Sequence, residues 1–409
     1  MKRNREAGQA IASVALGLVV LTGIVGLAID MGYLRYQKRR MQSAADSAAI
    51  AGASELAYAS GNYVAAAKND SKTNGFEDGV NGVTVTSSNP PVDAPFSSVA
   101  NANNYVEVKV QQAAPTFFMR IFGVNTVSVS ATAVAELGSS RGCVYSLSIL
   151  SIIGIDLGGD LRAQGCGVVD NSLLNLGPGC IHAESLGVVL NLPGNCDTPA
   201  IGISPVADPL AYLQPPAFAG GCAPLANISQ PATAPPVVIP PPPLGTAYCS
   251  IVVQPTNAAV VQFQPGLYAV TNAPGLQIQG TGSVAGNGVM FYMANPAQVQ
   301  ITTTGNVTLT APPDVLAGSP GVPGGVLFFQ DRTNTQPAQI TNGILNLTGA
   351  LYFPSASLTL GANNATPYLI LVANSLQLLG ATAIGDPTSG NNYSSLVTGS
   401  PIKAAVLVQ

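Results

Sequence analysis

Tryptophan is absent from this chain of 409 residues, histidine occurs once, and only 8% of the residues are charged. A single histidine, His182, allows at most one His-based catalytic triad and argues against the Cys and His clusters that hold zinc. The GxxxxGK[ST] phosphate loop and the GxSxG nucleophile elbow are also missing. We therefore expect no enzyme activity, no cofactor and no metal site.

Positive charge is scarce in the second part of the chain. Residues 139–409 contain four Lys and Arg against nine Asp and Glu, whereas residues 1–138 contain eleven against ten. Nucleic acid requires clustered cations that neutralise phosphates, so it is excluded as a partner. The chain is too apolar to be disordered, since 47% of its residues are hydrophobic. Its 44 glycines and 32 prolines indicate short strands joined by turns.

One long uncharged run lies near the start of the chain. Residues 7–29 carry no charge, and about 20 apolar residues at ~1.5 Å each cross a bilayer core of about 30 Å. The run is too long for a cleaved secretory signal, and helical periodicity continues beyond it. We predict a permanent single-pass anchor, with the lipid bilayer as a partner.

Cysteine usage indicates an oxidising compartment. No cysteine belongs to a CxxC pair, which favours two or three disulfides over metal ligands or buried free thiols. The six are Cys143, Cys166, Cys180, Cys196, Cys222 and Cys249. Basic residues flank the span on both sides and leave its orientation open. On the cysteine evidence the amino terminus is cytoplasmic, and the part after the span is periplasmic or extracellular.

The span is predicted to continue as a helical stalk, so that residues 1–60 form one segment. Small residues recur along this helix in two adjacent rows: Ala44, Ala48 and Gly52, and Ala45, Ala49 and Ala53. Such rows let another backbone approach closely. They pack either on the chain's own next domain or on another pilus-assembly or envelope protein, and both interpretations stay open.

Residues 61–138 are predicted to form a small α+β domain. Alternating apolar and polar residues indicate strands near 83–86, 105–110 and 126–135, and PTFFMRIF at 115–122 indicates a short amphipathic helix.

Three motifs in this first part carry a family resemblance. They are Gly8-Gln9-Ala10, Gly26-Leu27-Ala28-Ile29-Asp30 with Gly32, and the run MQSAADSAA at 41–49; PTFFMRIFGVNTVSVSATAVAE at 115–136 adds a closing segment. Together they resemble the TadG-like branch of the TadE/TadG family of tight-adherence (Flp) pilus assembly. The resemblance implies a bitopic inner-membrane protein with a periplasmic carboxyl-terminal part. TadE-like relatives that are trimmed after a glycine require a glutamate five residues on, where this chain has Ser13, so we expect no trimming after Gly8.

Residues 139–409 are predicted to be an all-β domain. Apolar runs such as GVMFY, GVLFF and GALYF recur about every 20 residues or more, which is typical of a parallel β-solenoid; the alternative is an antiparallel β-sandwich. In the solenoid, Phe291, Phe328 and Tyr352 stack in one internal row, and residues 147–192 form earlier coils. The proline-rich stretch 205–245 interrupts the stack as an extended loop.

The residues that remain for chemistry are few. One candidate is a histidine triad, since His182 has Asp170, Glu184 and Ser185 nearby in sequence. The other is a pair of carboxylates of the kind that cleaves glycans: Asp160 and Glu184 are about one coil apart, and Asp156 lies near Asp160. Each also fits a wall or turn position. We therefore assign no catalytic, cofactor-binding or metal-binding residue. The expected function is a non-catalytic structural or assembly protein of the cell envelope in a Flp pilus system; the alternative is a membrane-tethered glycan-binding or glycan-cleaving protein.

Overall fold

A computed structural model describes residues 4–58, 61–99, 101–139, 142–149, 153–191, 200–219, 221–225, 228–230, 236–364, 368–385, 392–393, 396–397 and 399–408. The chain divides into two compact units: Met1–Gly138 with Ala404–Gln409, and Ser139–Lys403. We call them the anchor unit and the β unit.

The elements of the anchor unit are α1 (Asn4–Glu55), α2 (Tyr63–Thr73), β1 (Val83–Ser88), β2 (Tyr105–Pro115) and β3 (Thr126–Ser139), with short 3-10 helices at Phe96–Ser98, Ala102–Asn104 and Met119–Phe122. The elements of the β unit are β4 (Gly142–Ser146), β5 (Ile155–Leu157), β6 (Leu161–Asn175), β7 (Ile181–Asn191), β8 (Ala200–Ile201), β9 (Cys222–Ala223), β10 (Ile228–Gln230), β11 (Val237–Ile239), β12 (Ala247–Tyr248), β13 (Ile251–Pro255), β14 (Val260–Phe263), β15 (Gly266–Val270), β16 (Leu276–Ile278), β17 (Ser283–Asn287), β18 (Val289–Met293), β19 (Val299–Ile301), β20 (Asn306–Thr310), β21 (Val326–Gln330), β22 (Ala338–Ile340), β23 (Ile344–Leu360), β24 (Asn363–Asn364), β25 (Leu369–Leu378) and β26 (Thr382–Ile384). The last strand is β27 (Lys403–Leu407).

Helix α1 contains the predicted span and stalk in one piece of 52 residues. Its portion Ile11–Glu55 is long and apolar enough to cross a membrane, and among the described residues no other helix is. The apolar side chains of the span are exposed, as expected for a segment that lipid would cover. The predicted long apolar helix followed by a largely β chain is confirmed.

The small-residue rows of α1 are buried inside the anchor unit. Met41, Ala44, Ala45, Ala48, Ala49 and Ala53 are fully buried, together with Ala67 of α2 and Val106 and Val108 of β2. A Cβ atom at Gly52 would lie 3.0 Å from the side chain of Val106. The two rows therefore let α1 lie flat on its own sheet. Of the two interpretations left open by the sequence, the structure shows the packing of these rows on the chain's own next domain.

The sheet of the anchor unit has the order β1-β2-β3-β27. Strands β1, β2 and β3 form an antiparallel meander, as predicted. The predicted helix at 115–122 is shorter than expected and is a 3-10 helix at Met119–Phe122. Residues 404–409 were expected in the β domain but belong here, because β27 pairs beside β3. The β unit is thus an insertion between two neighbouring strands of the anchor sheet.

The β unit is one 23-stranded sheet, and the strand pairs described in it are parallel. In its regular part each strand pairs with the strand three positions later, as β15 does with β18 and β18 with β21. Three successive strands therefore form one rung. Alternate side chains point inward and form a continuous core of Val, Leu, Ile and Phe.

Rungs do not stack in sequence order. The rung that comes last in the sequence pairs with the rung that comes first in the sequence, because β25 pairs with β4 and β5, and β26 pairs with β6. The stack continues from β6 to β7 and β8, where the chain leaves it. Residues 202–219 then run back toward the opposite end of the stack, where β9 lies. At ~3.3 Å per residue they span up to about 59 Å, enough for roughly ten steps of ~4.8 Å. We call residues 202–219 the strap.

The predicted proline-rich interruption is therefore shorter than 205–245. Part of that stretch forms β9, β10 and β11 in the first rung of the stack. The four prolines at 240–243 follow β11, so they do not interrupt its ladder with β14. The strap lies outside the rungs.

The predicted aromatic row is right for two of its three members. Phe291 and Phe328 are register partners whose ring centroids lie 5.2 Å apart. The register shifts between Val326 and Phe328, so that Phe329 pairs with Tyr352. The ring that continues the inner row is consequently Phe353, at 6.2 Å from Phe328.

Two disulfides connect neighbouring rungs. Cys143 of β4 is bonded to Cys166 of β6, and Cys222 of β9 to Cys249, directly after β12. Cys180 is also disulfide-bonded. Cys196 lies outside the described residues. The prediction of disulfides is confirmed for these two bridges.

Candidate functional surfaces

The first surface is in the anchor unit, where the loop between β2 and β3 meets α1. We call residues 116–124 the docking loop. It is closed at its base by Thr116, whose backbone N–H donates to the carbonyl of Asn125 at 3.0 Å and whose hydroxyl donates to the carbonyl of Val124. Gly123 ends the 3-10 helix with φ 81°, a left-handed conformation that favours glycine.

Asp30 of α1 holds this loop. Its carboxylate accepts backbone N–H groups from Phe117 at 2.8 Å, Phe118 at 2.9 Å and Met119 at 2.7 Å. The residue is fully buried, and a buried carboxylate is costly unless hydrogen bonds replace its water. Met119 is the first residue of the 3-10 helix, Phe118 is its N-cap and Phe117 precedes it, so the carboxylate caps the start of this helix. Asp30 therefore works as a clamp between α1 and the docking loop.

The docking loop also contacts the membrane span. A Cβ atom at Gly26 would lie 2.6 Å from the ring of Phe118, so glycine there lets the ring lie against the helix backbone. Among residues 11–32, only Gly26 and Asp30 are buried. They are one helical turn apart on the same face. Tyr33 extends the contact with an edge-to-face packing on Phe117 at 5.2 Å.

The outer side of the docking loop is apolar and exposed. Ile121 is 77% exposed and Phe122 74%, and Phe117, Phe118 and Val124 are partly exposed. Single exposed apolar residues are common, but five within nine residues form a patch that calls for a partner.

The second surface lies on the β unit, where the strap covers one face of the rungs. Arg332 donates to the carbonyls of Leu210 at 3.0 Å, Ala211 at 2.8 Å and Leu213 at 3.0 Å. Its guanidinium also lies over the rings of Phe329 and Tyr352. Arg332 thus pins the strap to the rungs through its backbone.

Asp208 provides a second attachment of the strap. Its carboxylate accepts the hydroxyl of Tyr352 at 2.7 Å. Burial raises the pKa of Asp208, an effect that the hydrogen bond from Tyr352 and the charge of Arg332 oppose. Asn171 binds the strap further along, with both of its amide atoms at 2.7 Å from the backbone of Val206. Arg332, Asp208 and Asn171 therefore attach the strap to this face at three points.

The neighbouring face of the β unit is open and carries a row of polar side chains, all but one of which are uncharged. The register aligns one outward residue per rung over seven rungs: Gln277, Gln300, Gln339, Thr359, Gln377, Asp156 and Asn175. We call them the amide row. Gln277 donates to Gln300 at 2.8 Å, and Asn175 donates to Asp156 at 2.8 Å. Asp156 is the one ionisable member.

The carboxylates considered for glycan cleavage are not brought together as a pair. Asp156 belongs to the amide row, and Asp160 accepts the backbone N–H of Cys180 at 3.1 Å. Because Leu161 pairs with Ile181, the residue opposite Asp160 is Cys180, and Glu184 lies four positions further along the chain. That offset is about 13 Å along the strand, more than the roughly 5–9.5 Å of glycosidase carboxylates.

Of the residues considered for a histidine triad, Asp170 lies apart from His182, whereas Glu184 and Ser185 follow His182 on the same strand. His182 pairs with Arg162 in the first part of β6, whereas Asp170 pairs with Val188, beyond one register shift. Asp170 is fully buried and accepts the N–H groups of Ile155 and Ser172, each at 3.0 Å. Burial raises its pKa. In the part of the chain with assigned positions, no group of His, Cys, Asp and Glu is arranged to hold a metal ion.

Comparison with known families identifies the anchor unit. Residues 8–55 match the Tad family, described as Flp pilus-assembly TadE/G-like, and residues 43–135 match Tad_C, described as Tad-like Flp pilus-assembly. The resemblance predicted from the sequence is confirmed over this part, which includes Asp30 and the docking loop. No curated protein and no solved structure matches the chain.

Proposed function

We propose, because the chain is a TadG-like member of the Flp pilus-assembly families, that it is a non-catalytic structural or assembly component of a tight-adherence pilus system. The observation that carries this proposal is the family match over α1 and over the sheet that packs on the stalk part of this helix. A single apolar helix at the amino-terminal side fits a single-pass membrane anchor.

We place the β unit in the periplasm or outside the cell and the amino terminus in the cytoplasm of a bacterial inner membrane. The two inter-rung disulfides support this orientation, since such bonds persist in oxidising compartments. The parallel ladders and their three-strand period support a parallel β-solenoid over a β-sandwich, whose sheets are antiparallel. Partner proteins then bind surfaces other than the small-residue rows of α1.

Deletion and complementation in the source bacterium test the assembly role. Loss of the gene should abolish surface pili and adherence, and the wild-type chain should restore both. The variant Asp160→Asn with Glu184→Gln should restore them equally well, because neither carboxylate has a catalytic role in this proposal. Normal piliation in the deletion strain would contradict an assembly role, and failure of the double variant would contradict a non-catalytic one.

The amide row favours a second candidate function, the binding of an extended glycan. Amide and hydroxyl groups repeated every ~4.8 Å along a nearly uncharged face suit the hydroxyl groups of a polysaccharide better than a charged polymer. A glycan array probed with the full-length protein in detergent tests it. Gln300→Ala with Gln339→Ala should abolish binding, whereas Thr308→Ala, an outward residue on another face, should not. Equal binding by both variants, or none by the wild type, would contradict this function.

A further inference from the structure

The docking loop and the membrane span lie at the same level. Phe118 contacts Gly26, and Gly26 lies within the uncharged run of residues 7–29. It precedes Asp30 by four residues, or about 6 Å along the helix axis toward the membrane interior. The loop therefore extends along α1 past Asp30, the first charged residue after the uncharged run, and into the last turn of the apolar span.

At this level the exposed side chains of the loop face the same surroundings as the span. Ile121 and Phe122 are the most exposed apolar residues of the loop, and the span residues Leu27 and Ile29 beside it are also exposed. An aromatic and aliphatic patch that continues a lipid-facing helix surface is suited to the boundary between head groups and acyl chains.

The clamp at Asp30 explains how a carboxylate is tolerated at this position. An unpaired carboxylate at the edge of the hydrocarbon would be costly, but this one is covered by three backbone N–H groups. The same three bonds fix the loop on the helix, so its apolar side is held outward. The charge is thus used to orient a hydrophobic patch.

We propose that residues 116–124 are a second membrane-contacting element, in which Ile121 and Phe122 enter the acyl boundary of the bilayer and Asp30 is the positioning residue. The ligand is a lipid surface. The continuity of the patch with the span selects lipid over a protein partner. This inference rests on the proposed anchor role of α1.

The absence of tryptophan makes a direct test possible, because each introduced tryptophan is the only one in the chain. Full-length Phe122→Trp is reconstituted into phosphatidylcholine vesicles that contain lipids brominated at shallow or at deep acyl positions. Val92→Trp is the matched control, since Val92 is 73% exposed in the same unit but outside the loop. Leu18→Trp, in the middle of the span, reports on the anchor itself.

We expect the indole at position 122 to be quenched severalfold more by shallow than by deep bromines, and that at position 18 to be quenched more by deep ones. The indole at position 92 should be unaffected. Equal behaviour of positions 122 and 92, with position 18 still quenched, would overturn the loop proposal and leave the anchor intact. If position 18 is not quenched either, the anchor role fails and the loop proposal with it.

A further variant tests the positioning role. Adding Asp30→Ala to Phe122→Trp should reduce the shallow quenching, because the loop loses three hydrogen bonds to α1. Asp30→Asn, which keeps an acceptor oxygen, should retain part of it. Far-UV circular dichroism shows whether both variants keep the fold. Unchanged quenching in a folded Asp30→Ala variant would overturn the assignment of Asp30.

Discussion

The pairing of β25 with β5 predicts that a disulfide can be introduced across the place where the last rung meets the first. Gln377 and Asp156 are register partners on the open face, and 221 positions separate them in sequence. Paired strands lie about 4.8 Å apart, within the Cα separation of about 4.4–6.8 Å that a disulfide spans. We expect full-length Gln377→Cys/Asp156→Cys to form this bond on mild oxidation.

The size of the effect follows from the length of the closed loop. A bond between residues 221 positions apart removes conformational entropy from the unfolded chain worth about 5 kcal/mol as an upper value. The matched control Gln377→Ser/Asp156→Ser lacks the same Gln377–Asp156 hydrogen bond, so the comparison isolates the new bond. Urea unfolding in detergent, followed by tyrosine fluorescence, should give a higher free energy of unfolding for the cysteine variant.

A second pair of cysteines controls for nonspecific oxidation. Gln339 and Gln377 lie two rungs apart, because Thr359 is between them in the amide row. Their separation is therefore about 9.6 Å, too far for a bond without movement of the backbone. Peptide mapping by mass spectrometry identifies the products. A disulfide between positions 339 and 377, or none between 156 and 377, would refute the rung order.

Three further predictions concern the core, pH and the anchor. Phe328→Ala should lower the free energy of unfolding by about 3–5 kcal/mol in urea titrations, because this fully buried ring stacks between Phe291 and Phe353; a loss below 1 kcal/mol would contradict its burial. Because the pKa of Asp208 is raised, the carboxyl group of Asp208 binds a proton more tightly in the folded protein than in the unfolded chain. The free energy of unfolding should therefore fall as the pH rises from about 3.9 through the pKa of Asp208 in the folded protein. Asp208→Asn should flatten this part of the stability–pH profile, and an unchanged profile would argue against it. The full-length protein should stay with membranes through alkaline carbonate washing, and its release would contradict the anchor.

Local features of the fold were predictable from the sequence because each depends on residues close together in the chain. The span, the stalk and the three meander strands follow from apolar periodicity over ten to twenty residues. The recurring apolar runs likewise predicted short buried strands and the contact of Phe291 with Phe328. The register shift after Val326, which replaces Tyr352 by Phe353 in the row, has no local signal.

Rung order could not be predicted for a physical reason. Each rung presents similar apolar, parallel edges above and below, so periodicity does not determine which edges meet. The observed order requires the strap to run back along the stack, and its attachments at Asp208 and Arg332 resemble ordinary loop residues in the sequence.

The clamp at Asp30 was missed for a related reason. The sequence showed Asp30 only as the first charge after the span and as part of a family motif. Its partners lie 87 to 89 positions away and are backbone N–H groups, which no side-chain pattern encodes. The available signal was an isolated carboxylate at the end of an apolar run together with a distant apolar loop rich in phenylalanine.

The placement of β27 beside β3 has a consequence for how the protein matures. The chain starts in the anchor unit, makes the whole β unit, and only then supplies the strand that completes the first sheet. Until residues 403–408 arrive, including Val408, whose N–H donates to the carbonyl of Val134 at 2.9 Å, that side of β3 is an unpaired edge. Unpaired edges invite aggregation and proteolysis. If synthesis stalls or the β unit misfolds, β27 does not pair and the edge of β3 stays exposed. Completion of the anchor sheet therefore depends on completion of the β unit.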